Sequence, residues 1–289
     1  MNNYISEHKK HFNFKTFVQN TLQEDVGDGD HSALATIPAT KKGKCQLLVK
    51  ENGIIAGIEA AKQIFKIVDP KFKFTQIIND GDQVKVGDIA FIVEGNTRTL
   101  LTLERLVLNI MQRMSAIATK TNHLQNLCKG TKTKVIDTRK TTPGFRFFEK
   151  WAVVIGGGAN HRFGLYDMIM IKDNHIDFAG GILEAIDATH AYLKKTKKKL
   201  AIEVETRNLA DVKLILNKGG FQRIMLDNYS IADTKKAVAL IGNKFEIESS
   251  GGITEKTIAS YAKCGVDFIS VGALTHHVKS MDLSLKAIK

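Results

Sequence analysis

After Gly130 the chain falls into a regular rhythm, and that rhythm restricts the fold more than any other feature. Short β-like runs occur at 134–137 (KVID), 168–171 (MIMI), 200–204 (LAIEV), 223–226 (RIML), 245–249 (FEIES) and 267–271 (DFISV). Between them lie helix-like segments, including Gly181–Leu193, Asn208–Leu216, Ile231–Leu240 and Glu255–Cys264. Parallel strands need a crossover connection, usually a helix, so regular alternation predicts a parallel sheet covered by helices. A doubly wound open sheet and a β/α barrel both satisfy this pattern. The residues at the strand ends separate them: Arg139 and Lys140, then Lys172, Glu203 with Glu205, Asp227, Ser249-Ser250-Gly251-Gly252, and Gly272. A barrel gathers its C-terminal strand ends at one mouth, whereas an open sheet spreads them apart. This succession of polar ends favours a barrel.

The segment Asp137–His175 carries Arg139, Lys140, Arg146, Lys150, Arg162 and Lys172 among glycines and apolar runs, together with the only Trp. Cations at that density suggest a pocket for a polyanion. We expect a first strand end, a long loop and a second strand here, with Arg139 and Lys172 on neighbouring strand ends. Ser-Ser-Gly-Gly before a helix and Val271-Gly272-Ala273 after a strand suit a cradle of backbone N–H groups for phosphate.

The preceding residues follow no such alternation. Phe14, Phe17, Val18, Leu22 and Val26 have helical spacing. They run into the acidic turn Glu24–Asp30, which lacks EF-hand ligand spacing and is expected to be a loop. Lys44–Lys50 and Ile54–Ile58 flank Asn52-Gly53 and suggest a hairpin. Glu59–Val68 suggests a helix, and Phe72–Ile78 and Ile89–Glu94 suggest strands. Thr97–Cys128 is helical and apolar without Pro or Gly, long enough for a break near Ser115 to be expected. By pattern alone Glu104 and Arg105 form an exposed ion pair on it. The result is an N-terminal α+β domain.

The net charge of +12 fits either an acidic macromolecular partner or a lysine-rich surface with a basic pocket. The densest run, Lys194–Lys199, sits at an expected helix end, where the helix dipole favours cations. No RNA- or DNA-binding motif is present, so no nucleic acid partner is expected. No run reaches the roughly 18 apolar residues of a membrane span. The polar start, without an apolar leader core, gives a cytoplasmic expectation. Cys45, Cys128 and Cys264 lie too far apart for a zinc spacing and are expected as thiols. Gly156-Gly157-Gly158-Ala159-Asn160-His161 begins like a dinucleotide fingerprint, but His161 stands in place of the third glycine. A Schiff-base role for Lys172 remains an alternative, given its cationic neighbours.

TRKTTPGFR at 138–146, GGGANHR at 156–162, IKDNH at 171–175, MLDN at 225–228 and SGGI at 250–253 together resemble the quinolinate phosphoribosyltransferase family. The resemblance runs from Glu24-Asp25 to Asp282-Leu283-Ser284. It implies an open-faced, incomplete β/α barrel at 115–274, an N-terminal α+β domain at 1–114, and a tail at 275–289 packed back on that domain. It also implies a homodimer. Thr138, Arg139, Lys140, His161, Arg162 and Lys172 match the family's pocket for quinolinate and phosphates. Glu203 and Asp227 match its acidic residues for Mg²⁺ and the ribose hydroxyls. Ser250, Gly251, Gly252, Val271 and Gly272 match its 5-phosphate loops. Arg105 matches an arginine donated to the neighbouring subunit's site. The implied reaction joins phosphoribosyl pyrophosphate to quinolinate, with Lys140, Lys172, Glu203 and Asp227 as catalytic residues. Two departures are Ser115-Ala116, where the family often has Ser-Gly, and His276-His277, where it often has His-Ser.

Overall fold

The computed structural model describes residues 4–288, which form two units. The first unit holds residues up to Asn122, Thr142–Gly157 and those from His277 on; the second holds His123–Thr141 and Gly158–His276. In chain order the first unit begins with helices α1 (Tyr4–His8), α2 (Phe14–Val26) and α3 (His31–Thr36). Then come β1 (Lys42–Val49), β2 (Gly53–Ile54), α4 (Ile58–Val68), β3 (Lys73–Gln76), β4 (Gln83–Val84), β5 (Ile89–Asn96) and α5 (Thr97–Leu127). The second unit's sheet starts with β6 (Lys134–Ile136), after which α6 (Arg146–Ile155) returns to the first unit. The second unit continues with β7 (Met168–Ile171), α7 (Asp173–Ala179), α8 (Ile182–Thr196), β8 (Ala201–Thr206), α9 (Leu209–Lys218) and β9 (Arg223–Asp227). It ends with α10 (Ile231–Ile241), β10 (Glu246–Ser250), α11 (Ile258–Ala262), β11 (Phe268–Ser270) and α12 (Ala273–His276); β12 (Leu283–Ala287) belongs to the first unit.

In the first unit an antiparallel sheet of order β12-β1-β5-β3 buries Leu47, Val49, Phe91 and Val93 on one face. The amphipathic α4 covers them with Ile58, Ala61, Ile64 and Phe65. Its first turn is capped from a distance: Asp80 accepts hydrogen bonds from the N–H groups of Ile58 (2.8 Å) and Glu59 (3.1 Å). The expected Asn52-Gly53 hairpin does not form. β1 pairs instead with β5 and β12, and β2 pairs only with β4. The reason lies on α5, whose side chains take the backbone groups a hairpin would have used. Thr119 Oγ1 accepts from Ile54 N (2.8 Å), and Ser115 Oγ accepts from Ala56 N (2.9 Å) and donates to Ala56 O (3.1 Å). The same bonds explain why α5 runs unbroken through Ser115, which is fully buried.

The long loop expected after Arg139 contains a helix. α6 buries Phe147, Phe148 and Trp151 against α1, α2 and the turn between them. Phe12 stacks on Phe147 (centroids 4.2 Å apart), and Tyr4 stacks on Trp151 (5.5 Å). This aromatic layer places Thr142–Gly157 in the first unit, although the sequence reading gave 115–274 to the barrel. Inside it, Glu149 is fully buried and satisfied by Arg113 (2.8 and 3.1 Å), the Thr142 hydroxyl (2.9 Å) and Thr142 N (3.0 Å).

The second unit is a parallel sheet of order β6-β11-β10-β9-β8-β7. β6 and β7 occupy opposite edges, so Arg139 and Lys172 do not come from neighbouring strand ends. A flat sheet of six strands would separate its edges by roughly 24 Å. Residues following both edge strands nevertheless line one cavity, so the sheet is curled into an incomplete barrel with an open seam between β6 and β7. Ala159 crosses to β6 through a bridge to Ile136. One side of each strand packs under the helices with Ile202, Val204, Ile224, Leu226, Ile247 and Ile269. The other, at Glu203, Glu205, Arg223, Met225, Asp227, Glu248 and Ser250, faces the barrel interior. Lys197 terminates α8 in a left-handed conformation, so the lysine run is a helix C-terminus as expected. All three cysteines are buried free thiols, and burial raises each above its ordinary pKa.

Candidate active site

A cavity of about 770 Å³ opens at the C-terminal strand ends of the second unit. From the β6 side come Thr138, Arg139 and Lys140; from the seam segment, His161 and Arg162; from the end of β7, Lys172. The end of β9 brings Asp227 and Asn228, and β10 brings Ser250, Gly251 and Gly252. Val271, Gly272 and His276 complete the wall after β11. The cations occupy the two edges flanking the seam, and the glycine turns occupy the middle of the sheet.

Local chemistry fixes each group. Thr138 Oγ1 accepts from Lys140 N (3.0 Å), which turns the chain at the strand end. The Thr275 hydroxyl holds Lys140 O at 2.7 Å. A Cβ on Gly272 would lie 3.0 Å from the Lys140 side chain, so glycine there admits the lysine. Burial, and next the charge of Arg139, hold the Arg162 guanidinium below its usual pKa. Asn228 has a left-handed backbone (φ 56°), donates through its amide to Asp227 Oδ2 (2.7 Å) and through its N–H to Ser250 O (2.8 Å). Gly251 (φ +89°) passes so close that a Cβ would lie 2.9 Å from Asn228 N and collide with the Asn228 side chain.

Below the cavity lies a buried charged layer. His161 Nε2 is 2.9 Å from Glu203 Oε2 and 3.3 Å from Glu248 Oε2, and both glutamates are fully buried. Arg223 reaches Glu248 (3.4 Å) and Glu246 (3.0 Å) and lies over the Phe268 ring at 4.0 Å. Burial, and next the Glu248 charge, push the Glu203 carboxyl up to about 7. Burial opposes ionisation of Glu248 too, but hydrogen bonds from His161 and Ser270 and the Arg223 charge hold it below the ordinary glutamate range. Arg223 balances one carboxylate, and the proton that balances the other belongs to the Glu203–His161 pair jointly.

This layer corrects the expectation that Glu203 lines the pocket with the other site residues. It sits in the middle of β8 and does not line the cavity. Glu205, two residues further along the same face, lies nearer the strand end; it too is buried and does not line the cavity. It lies 3.9 Å from Lys172 Nζ and accepts from Asp173 N (3.3 Å). Burial, and next the charge of Asp227, raise its pKa. Arg146 and Lys150 are corrected as well: both lie on α6 in the first unit, Lys150 fully buried, and neither lines the cavity. Arg105 is exposed on α5 and does not line the cavity. Lys172 is half exposed beside Glu205, which is not the desolvated, cation-flanked setting of a Schiff-base lysine. Glu248 and Asn228 were missed as site residues. Strand periodicity could have found Glu248, which shares a face with Ser250 two positions on.

Among family models, the quinolinate phosphoribosyl transferase C-terminal domain matches residues 117–286 and the N-terminal domain matches 30–115. The chain belongs to the quinolinate phosphoribosyltransferase family. It is therefore an enzyme, a phosphoribosyltransferase of the decarboxylating quinolinate class. "Quinolinate phosphoribosyltransferase [decarboxylating] 1b" of Nicotiana tabacum is 44% identical over 290 residues, covering 95% of this chain and 82% of the relative. The chloroplastic "nicotinate-nucleotide pyrophosphorylase [carboxylating]" of Oryza sativa subsp. japonica is 45% identical, covering 95% and 78%. The crystal structure of NadC from Streptococcus pyogenes superposes with a TM-score of 0.89 at 37% identity, covering 96% of this chain and 97% of that one. No helix among the described residues is long and apolar enough to cross a membrane.

Proposed function

We propose that the protein transfers the phosphoribosyl group of phosphoribosyl pyrophosphate to the ring nitrogen of quinolinate and releases CO₂, giving nicotinate mononucleotide and pyrophosphate for NAD biosynthesis. The observation that carries this reading is the convergence of Arg139, Lys140, Arg162 and Lys172 on one cavity, whose charges an anionic ligand would balance. Their planar forks suit carboxylates, while Lys140 and Lys172 supply point charges for phosphates. The turns at Ser250–Gly252 and Val271-Gly272 suit the 5-phosphate.

A pyridine nitrogen flanked by a carboxylate is a weak nucleophile, so holding it in line with the ribose C1 supplies much of the rate. The C1–O bond to pyrophosphate breaks as the C1–N bond forms, and the carboxylates of Asp227 and Glu205 stabilise the cationic character of the sugar. The ring nitrogen is then formally positive and stabilises the carbanion left on C2 when the C2–carboxylate bond breaks and CO₂ departs. Lys140, Lys172 or water returns a proton to C2. Glu205 and Asp227 also fit a hard divalent cation. They are carboxylates at neighbouring strand ends, and burial, and next the Asp227 charge, raise Glu205; bound Mg²⁺ would supply charge neutralisation for the departing pyrophosphate. In this reading the enzyme is a homodimer, and Arg105, exposed on α5, completes the partner's site. It works in the cytoplasm, although relatives include a chloroplastic form, and cell fractionation checks the compartment.

Incubation with quinolinate, phosphoribosyl pyrophosphate and Mg²⁺, followed by mass spectrometry, should show nicotinate mononucleotide and CO₂ in equal amounts. No product at high enzyme concentration would overturn the reading. Turnover of nicotinate without CO₂ would instead assign a different pyridine substrate.

A further inference from the structure

The interior of the barrel contains ionisable groups that the reaction above does not use. Glu203 on β8 and Glu248 on β10 both close on His161 Nε2, at 2.9 and 3.3 Å. On its other side the His161 ring accepts the N–H of Arg162 at Nδ1 (2.6 Å). The preceding backbone is held separately: buried Asp137 accepts from His161 N (2.9 Å) and from the Asn160 amide (2.6 Å). Asn160–Arg162 is the segment that follows the bridge at Ala159 across the open seam. Carboxylates from β8, β10 and the end of β6 thus converge on Asn160 and His161, next to the bridge that ties Ala159 to β6.

We propose that Glu203 and Glu248 are positioning residues. Through His161 they pin the seam segment and so aim Arg162 at the ligand in the cavity. The proposal rests on the reading of Arg162 as a carboxylate-binding residue. Loss of Glu203 would remove the 2.9 Å contact at His161 Nε2 and free the ring that accepts the Arg162 N–H; the guanidinium keeps its bond to Met168 O (3.1 Å), so the change falls on the aim of Arg162 rather than on its attachment.

A buried cation bound by the same three side chains is the competing explanation, since both Glu203 oxygens and Glu248 Oε1 accept no hydrogen bond and Glu203 meets His161 as an ion pair. Two observations disfavour it. Because Nδ1 accepts an N–H, the neutral ring carries its proton on Nε2, which leaves no lone pair there for a metal. Arg223 already sits 3.4 Å from Glu248 Oε2, placing a guanidinium where a metal would meet a like charge.

The test compares Glu203→Met, which fills the space without an acceptor, with Glu203→Gln, which restores an acceptor. We expect Glu203→Met to raise the KM for quinolinate by about 100-fold, the order expected for a misplacement of about 1 Å. Most of that loss should be recovered in Glu203→Gln, with the KM for phosphoribosyl pyrophosphate nearly unchanged. Combined with Arg162→Lys, Glu203→Met should add little further loss, because both act through one contact. Additive losses, equal effects of Met and Gln, or stoichiometric metal in the purified protein would each overturn the proposal. Long-range ¹H–¹⁵N spectra of His161 give a readout independent of turnover. The Nε2–H signal should be present in the wild-type protein and shifted in Glu203→Met, where its 2.9 Å carboxylate neighbour is gone; an unchanged signal would overturn the proposal. An inactive wild-type enzyme would refute the proposed reaction, while this spectrum would still decide the role of Glu203.

Discussion

Gly251→Ala tests whether the geometry at the β9 and β10 ends underlies phosphate binding. Gly251 has φ +89°, where an L side chain costs about 1–2 kcal/mol. The new Cβ would lie 2.9 Å from Asn228 N and collide with the Asn228 side chain. Relief requires the Asn228 amide to swing away from Asp227 Oδ2, breaking a 2.7 Å hydrogen bond to a carboxylate. Such a bond contributes about 1.5–3 kcal/mol. The two effects together come to about 2.5–5 kcal/mol, and at 1.4 kcal/mol per factor of ten the middle of that range exceeds roughly 100-fold. The loss should fall on the phosphorylated substrate, because the loop and Asp227 face it. Initial rates at saturating quinolinate should show the KM for phosphoribosyl pyrophosphate raised about 100-fold or more, with the KM for quinolinate changed by no more than about threefold. Unfolding temperature should be measured alongside. A KM within about twofold of wild type would refute the reasoning: at unchanged stability the collision does not exist, and at reduced stability the fold rather than the site absorbs it.

Glu205→Gln should raise the Mg²⁺ concentration needed for half-maximal rate, whereas Glu203→Gln should not; equal effects would return the metal to Glu203. Mixing Arg105→Ala with Lys172→Ala should restore activity, since a heterodimer would contain one intact site; no recovery after verified subunit exchange counts against a shared site. Tyr229 is buried, its hydroxyl donates to Thr206 (3.1 Å), and burial pushes its pKa up to about 12 from 10.0. A phenol held neutral by the fold stabilises fully below pH 10, and that stabilisation is lost as pH rises towards 12. Chemical denaturation should therefore show a shallower alkaline loss for Tyr229→Phe in that window, and an unchanged slope would rule the residue out. Arg113→Met should destabilise the first unit by about 3–5 kcal/mol, because it strands the buried Glu149 carboxylate, and Glu149→Gln on the Arg113→Met background should recover part of that loss in denaturant titrations.

Much of the site could be read from the chain because strand ends are local features. A β-like run followed by a cation, an acid or a glycine pair places that group at the barrel mouth wherever the run itself is recognised. Arg139, Lys140, Lys172, Asp227, Ser250–Gly252 and Gly272 were found that way, and each lines the cavity. Glu203 shows where local pattern stops. Two glutamates on one strand face differ by one step along it, and only the tertiary contacts show that Glu205 stands beside Lys172 while Glu203 faces His161. The basic stretch was also over-read. Arg146 and Lys150 are cations by sequence, but the aromatic residues between them commit α6 to the first unit.

By itself the sequence determined the alternation of elements, the parallel sheet and the chemistry at its ends, because periodicity and turn residues act over a few positions. The tertiary structure alone decided three matters. Backbone groups of Ile54 and Ala56 went to α5 rather than to a hairpin. β6 and β7 became the two edges of an open seam. Glu203, Glu248 and Asp137 closed on Asn160 and His161 beside it. Each depends on partners far away in the chain competing for the same hydrogen-bonding group, and local pattern contains no record of which partner wins.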